Sequence, residues 1–295
     1  MQSNKTEKYK VHNDKEYFQK AIYYTSSRTE INQELIEKDY YCSLLLDYLF
    51  GNEDTQLVFK GGTCISKVYT DFYRMSEDLD FMISVSTGLS KNTRKGLICP
   101  IRQDFDKLLA RYNCLNWKET ITGHNESKQY IGKLEYNSVI GAVGRKGIIK
   151  IEIGLREELV EEVYKRETST LLIAPFREER IIQSYKTNVP TINELYAEKF
   201  RAALTRREPA IRDFFDIFYA MKNLQIDFKC EYFLELVRRK LFVPGNLSVN
   251  MSLERKKKLK LQVDSELKPV LRRKDFQDFN FDEVFEFVGE IAQKL

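Results

Sequence analysis

Two aspartates separated by one leucine, Asp78 and Asp80 in "SEDLDFMIS", are the residues of this sequence best suited to chemistry. On a strand, residues two apart share a face, so both carboxylates point to one side while Leu79 and Phe81 point to the other. Carboxylates this close raise each other's pKa unless a cation sits between them. Such a pair is a natural clamp for a divalent ion, and an oxygen-only donor set suits magnesium or manganese. A third acid is expected from a neighbouring strand. Glu152 in "IIKIEIGL" meets that description, because Ile151 and Ile153 point the other way.

Upstream of the pair, Gly61-Gly62-Thr63 separates an apolar strand candidate, "QLVF", from a helical segment. Glycines let backbone approach phosphate oxygens, and the N–H groups of a helix start are free to meet them. The spacing that follows is neither a Walker A loop nor a G-x-G-x-x-G pattern. Each piece has a plainer reading: a turn, a solvated strand edge, a salt-bridged glutamate. Their order and spacing make the joint signal.

Composition excludes other chemistries. With only two histidines, His12 and His124, a histidine-rich metal centre or a Ser-His-Asp triad lacks material. The five cysteines are odd in number and scattered, with no C-x-x-C pair, and read as reduced thiols of a cytosolic protein. No signal peptide is expected. The most apolar run, "YYCSLLLDYLF", is interrupted by Ser43 and Asp47 and is too short for a bilayer, so the expected location is the cytoplasm, with no membrane partner. A net charge of +4 permits a polyanionic partner only if a basic face is local.

The elements that must position these residues follow from periodicity. Within the 295 residues, disorder is expected only in "MQSNKTEKYK". Asn13 or Asp14 caps a first helix and Thr29 opens a second. After "QLVF", "TCISKVYTDFY" reads as helix, "LDFMIS" as strand and "STGLSKNTRKGLICPIRQDFDKLLARY" as a long helix. Four strand candidates follow: "LNWKETITG", "SKQYIGKLEYNSV", "GIIKIEIGL" and "STLLIAP". From "TNVPT" onward the pattern is helical, with Thr191 as a cap after Pro190. The expected fold class is α+β: residues 1–188 a mixed sheet flanked by helices, residues 189–295 a helical C-terminal bundle.

The motif order Gly-Gly turn, D-x-D strand, later acid resembles the nucleotidyltransferase superfamily of the polymerase-beta type. More closely, "LVFKGGTCISKVYTDFYRMSEDLDFMI" resembles the AbiEii/AbiGii-type toxins of abortive-infection and toxin–antitoxin systems. "R-x-S-E-D-L-D-F" at Arg74–Phe81 is the most specific part, and "IEKDYYCSLLLDYLF" and "NELYAEKFRAALTRREPAIRDFFDIFYA" extend the likeness. The resemblance implies that Gly61, Gly62 and Thr63 hold nucleotide phosphates and that Asp78, Asp80 and Glu152 bind magnesium. It further implies that Lys199 and Asp213 take part in activity, Lys199 against the triphosphate. Lys67, Arg74 and Ser76 are secondary phosphate candidates that fit a solvated helix or turn as well.

The implied reaction is transfer of NMP from an NTP to an acceptor, for some members the 3′ end of tRNA, which stops translation. The implied setting is phage defence, with a separately encoded antitoxin as partner. Acceptors on a small molecule or a protein hydroxyl stay open, as does an idle nucleotide-binding protein of the same fold. Basic runs at Arg238 ("RRKL") and Arg255 ("RKKKLKLQ") either meet an RNA backbone or form a solvated helix face.

Overall fold

The computed structural model describes residues 10–295, so the disorder expected over the first ten residues lies, Lys10 apart, outside the described residues. The chain forms two compact units: residues 1–158 with 163–189, and residues 159–162 with 190–295.

The first unit opens with two helices, α1 (Lys15–Thr29) and α2 (Gln33–Phe50). The Asp14 carboxylate accepts the Tyr17 N–H at 3.0 Å and the Asn32 side chain accepts that of Glu34 at 2.8 Å, each satisfying a donor that the first turn leaves open. Thr29, expected to open the second helix, instead closes the first. Glu30 takes a left-handed φ of 58° and its N–H returns to Ser26, so the chain must restart at Asn32.

Then come β1 (Val58–Lys60), a short helix α3 (Gly61–Cys64) continuing as a π-helical turn over Ile65–Tyr69, and β2 (Leu79–Met82). After these follow α4 (Lys91–Arg111), β3 (Leu115–His124), β4 (Gln129–Asn137) and β5 (Lys146–Gly154). The sheet order is β1-β2-β5-β4-β3. Only the β2–β5 pair is parallel; its neighbours are antiparallel, which makes the sheet mixed.

Alternation divides its faces. Ile149, Ile151 and Ile153 are fully buried on one face, while Lys150 and Glu152 stand half-buried on the other. The apolar face is closed by α4 through Ile98, Ile101, Phe105 and Leu108. Arg94 ties that helix to the end of β5 by donating to the Leu155 carbonyl at 3.0 Å.

One expected strand is absent. "STLLIAP" buries Leu171 and Leu172 but, apart from an isolated bridge between Ile173 and Arg180, has no strand partner. Side chains take the place of that partner: the Leu171 N–H donates to the Asp39 carboxylate at 2.8 Å and the Ile173 N–H to the Thr25 hydroxyl at 2.9 Å. The charged segments on either side form the ladder instead, as β6 (Tyr164–Thr168) paired with β7 (Tyr185–Val189).

In the second unit, α5 (Ile192–Thr205) starts from Thr191, whose hydroxyl accepts the Glu194 N–H at 3.0 Å. It is followed by α6 (Ile211–Asn223), α7 (Glu231–Phe242), α8 (Leu253–Gln262), the short α9 (Arg273–Asp278) and α10 (Phe281–Ala292). Phe200, Phe228 and Phe233 pack edge-on with centroids 4.9 to 5.5 Å apart. Residues 159–162 belong to this unit because Glu194 holds them: its buried carboxylate accepts the N–H groups of Val160 and Glu161 at 2.9 and 3.0 Å and pairs with Lys240 at 2.6 Å.

Asp39 of α2 organises the first unit in the same way. Beyond Leu171, it accepts from the ammonium of Lys67 at 2.6 Å, and that ammonium also donates to Ser43 at 2.9 Å. The pair is buried, with side-chain exposures of 4% and 1% for Asp39 and Lys67. It joins α2, the π-helical turn after the glycines and the loop after β6. Removing one partner of a buried pair leaves an uncompensated charge and costs about 3–5 kcal/mol. Lys67→Ala should therefore lower the urea-unfolding free energy of the first unit by about that amount. Lys67→Met combined with Asp39→Asn, which keeps an acceptor for the Leu171 N–H, should lose less than Lys67→Ala alone.

Candidate active site

The parallel register of β2 and β5 sets Asp80 directly beside Glu152. On the other side of β2, Asp80 pairs with Lys60, the last residue before the glycine turn. Directly paired residues share a face, so Lys60, Asp80 and Glu152 form one row across the polar face. Asp78 stands one residue before β2 and is, like Asp80, partly exposed.

The glycine turn is fitted to this row. Gly61 has φ +77°, a conformation that L side chains rarely adopt. A Cβ there would lie 2.3 Å from Asp80 Oδ2, so the turn backbone runs against the carboxylate. At Gly62 a Cβ would lie 2.5 Å from Arg74 Nη2 and 3.1 Å from Ser76 Oγ. Arg74 is itself buried, with Nη1 donating to the Met75 carbonyl at 3.1 Å. The Thr63 hydroxyl donates to the backbone carbonyl of Asp78 and Ser66 Oγ to that of Arg74 at 2.7 Å. Turn and acidic segment are thus stitched together through backbone.

Glu152 is held from two sides, by Gln129 Nε2 at 2.7 Å and Lys150 Nζ at 2.9 Å. Burial pushes its carboxyl up, but the Lys150 ammonium, the Gln129 amide and Lys60 together bring it below the usual carboxylate range. Burial likewise pushes the Lys150 ammonium down, and Glu152, Asp78 and Asp80 more than reverse this, so its pKa is raised. That shared effect places Lys150 in the field of all three acids. Neither Lys150 nor Gln129 was singled out from sequence. The signal for Lys150 was present: the alternation that aims Glu152 at the polar face aims Lys150 there too.

Among the described residues, no group of three or more His, Cys, Asp or Glu side chains is arranged as a metal cage. Carboxylates are the donor type a hard divalent ion takes, Asp80 and Glu152 are strand partners, and Lys150 already feels the charge of all three acids. In this arrangement the Glu152 carboxylate is engaged by Lys150 and Gln129.

The sequence also offered Lys67, Lys199 and Asp213. Lys67 is not brought to the row; its ammonium is buried against Asp39 and Ser43. Lys199 and Asp213 belong to the second unit, where α5 and α6 bring them together. Lys199 Nζ lies 2.9 Å from Asp213 and 2.8 Å from Asp216, and Arg206 holds the second oxygen of Asp213 at 2.9 Å. Burial raises the Asp213 carboxyl, and Lys199 and Arg206 outweigh it to leave its pKa lowered.

His12 is a core residue bonded to the Tyr40 hydroxyl at 2.7 Å, its pKa lowered to about 4 by burial and by Lys10. His124 ends β3 on an exposed turn. In the basic runs, Arg255 is buried and donates to the carbonyls of Ala203 and Arg206, and Arg238 is engaged by Glu231. Lys256 and Lys260 share Asp282, and Lys258 pairs with Glu254. Most of these cations are already engaged within their own unit.

The family model "Nucleotidyl transferase AbiEii toxin, Type IV TA system" matches residues 43–286. The chain belongs to this AbiEii family. Its fold is also that of two solved structures. The crystal structure of JHP933 from Helicobacter pylori has 15% sequence identity and a TM-score of 0.52, with 89% of this chain and 92% of that chain covered. An H. pylori protein provisionally designated a nucleotidyltransferase has 16% identity and a TM-score of 0.51, with 89% and 95% covered. No curated protein matches the sequence. No helix among the described residues is long and apolar enough to cross a membrane.

The acidic row and its glycine turn carry two checks. Gly61→Ala should displace Asp80 and destabilise the first unit, visible as a lower melting temperature, whereas Gly88→Ala, where a Cβ meets nothing within 4 Å, should not. Because the Glu152 carboxyl is depressed in the folded state, its stabilising contribution is present above the ordinary carboxylate range and fades as pH falls through the folded value. In Lys150→Met, burial loses its main counterweight, so the Glu152 titration midpoint followed by carboxyl ¹³C NMR should move upward.

Proposed function

We propose that this AbiEii-family chain transfers NMP from an NTP to an acceptor hydroxyl with release of pyrophosphate. The observation that carries the reading is the Asp80–Glu152 strand register beside a glycine turn that touches the Asp80 carboxylate. Asp78, Asp80 and Glu152 would hold magnesium or manganese, which when bound supplies charge neutralisation for the triphosphate and a lowered pKa for the attacking hydroxyl. Gly61, Gly62 and Thr63 would line the phosphate cradle.

What the chain's own residues do is mainly positioning and charge placement. The register fixes two carboxylates side by side, the threonine bond holds Asp78 at the turn, and Lys150 keeps Glu152 ionised. Lys199 would meet the triphosphate only by exchanging Asp213 and Asp216 for phosphate oxygens.

Family membership supports a toxin role, an antitoxin partner and an NTP substrate. The finer reading is that the acceptor is the 3′ end of tRNA, that modification stops translation in the cytoplasm and that the system serves phage defence. Small-molecule or protein acceptors are the competing reading.

Incubation with each labelled NTP, total tRNA and cell extract separates them. Label on tRNA supports the finer reading, and label on protein or small molecules replaces the acceptor. Asp80→Ala should reduce transfer by about two orders of magnitude or more, as should chelation of divalent ions. Undiminished transfer in Asp80→Ala would show that the acidic row is not the catalytic centre.

A further inference from the structure

A concave site lies in the first unit, between the start of α4 and the β3–β4 turn. It encloses about 430 Å³ and is lined by Lys91, Lys95, Arg102, His124, Ser127 and Tyr130, among others. Along an α-helix, positions 91, 95 and 102 fall within about 40° of one another, so the three cations form one stripe that faces the cavity. Neither Lys91 nor Lys95 has an ion-pair partner among the described residues, in contrast to the basic runs of α7 and α8. Arg102 donates to the Ile121 carbonyl at 2.8 Å and lies over the Tyr130 ring at 5.6 Å, without an acidic partner. One acid, Glu126, lines the cavity against these three cations.

Two features make this more than a charged surface. α4 has no acidic residue in its first turn and carries lysine there instead, although the positive end of a helix disfavours cations. A bound anion would offset that penalty at the lysines. Independently, Tyr130 is only 2% exposed and its hydroxyl has no hydrogen-bond partner among the described residues. Its phenol end reaches the turn that walls the cavity: a Cβ at Gly123 would lie 3.0 Å from Tyr130 Cε1 and 3.5 Å from Ser127 Oγ. Three consecutive residues of that turn, Asn125, Glu126 and Ser127, have positive φ of 49°, 54° and 63°, a strained path held around the cavity mouth.

The turn is also wired to the candidate active site. Asn125 Nδ2 donates to Gln129 Oε1 at 3.2 Å, and Gln129 Nε2 donates to Glu152 at 2.7 Å. Gln129 pairs with Gly154, two residues beyond Glu152, so cavity and acidic row lie at the same end of the sheet.

We propose that this cavity binds a phosphate group, with Lys91, Lys95 and Arg102 as its cations and the Tyr130 hydroxyl as a donor. The proposal concerns a site separate from the glycine turn. It rests on the nucleotidyltransfer reading only for the source of the phosphate, which is either an NTP or the backbone of a polynucleotide.

The test uses the full chain in a chelator, so that no divalent ion contributes, with inorganic pyrophosphate as the probe in calorimetry. Lys91→Glu with Lys95→Glu, both exposed and at a helix start that favours carboxylates, should not lower the melting temperature and should weaken pyrophosphate at least tenfold. Tyr130→Phe should weaken it severalfold. Affinities equal to that of the unaltered protein in both would overturn the site. The source is then read by comparing a non-transferable NTP analogue with a short single-stranded oligonucleotide lacking a 5′ triphosphate. The ligand weakened by the charge reversal is the one the cavity serves, and weakening of neither would overturn the proposal. Loss of NMP transfer alone, with pyrophosphate binding intact, would bear on the nucleotidyltransfer reading and leave the cavity standing.

Discussion

Two carboxylates held side by side by parallel strand register are the constraint on which the site depends. A β2–β5 pairing shifted by one residue would place Asp80 opposite Ile151 or Ile153 and break the row, so the pairing itself decides whether the chemistry exists. Like charges at that spacing repel, and the unit answers with cations from both sides: Lys60 across β1 and Lys150 two residues before Glu152. Hydrophobic burial supplies the register. Ile149, Ile151 and Ile153 are committed to the core face, and moving any of them to the polar side would expose a buried isoleucine side chain, worth about 1.5–3 kcal/mol each.

Backbone contacts do the remaining positioning around the acids, and the residue types follow from that. A glycine is required where the turn meets the Asp80 carboxylate, and at Gly62 a side chain would have to displace the Arg74 guanidinium. Thr63 and Ser66 spend their hydroxyls on carbonyls of the Arg74–Asp78 segment rather than leaving them open. The buried Asp39–Lys67 pair then fixes the π-helical turn from behind. Such a pair contributes little net stability compared with an apolar replacement, but it tolerates one arrangement only, and that arrangement holds the glycine turn in place.

Much of this was legible in sequence because the signals are local. Alternation predicted the shared face of Asp80 and Glu152, and the helix caps at Thr191 and at Asp14, one of two candidates with Asn13, were readable from residue type. What escaped required partners distant in sequence. "STLLIAP" has a strand's composition, yet its backbone is satisfied by Asp39 and Thr25, more than a hundred residues away. Lys67 looked like a phosphate ligand beside the glycines, and nothing local announces its engagement with Asp39. The basic run at Arg255 fits an RNA-facing stripe and a solvated helix face equally well until α10 supplies Asp282 and the C-terminal end of α5 supplies carbonyls.

The same logic separates the two groups of cations the chain carries. A lysine opposite an aspartate from its own unit is already neutralised, and recruiting it for a polyanion means breaking that pair first. Lys256, Lys258 and Lys260 are in that position. Lys91 and Lys95 are not; they sit at the wrong end of a helix dipole, over a cavity with an unmet hydroxyl, and every interaction an anion would make there is new. Because counterion release favours phosphate at unpaired cations, the small net charge of +4 understates how unevenly this protein would attract nucleotides.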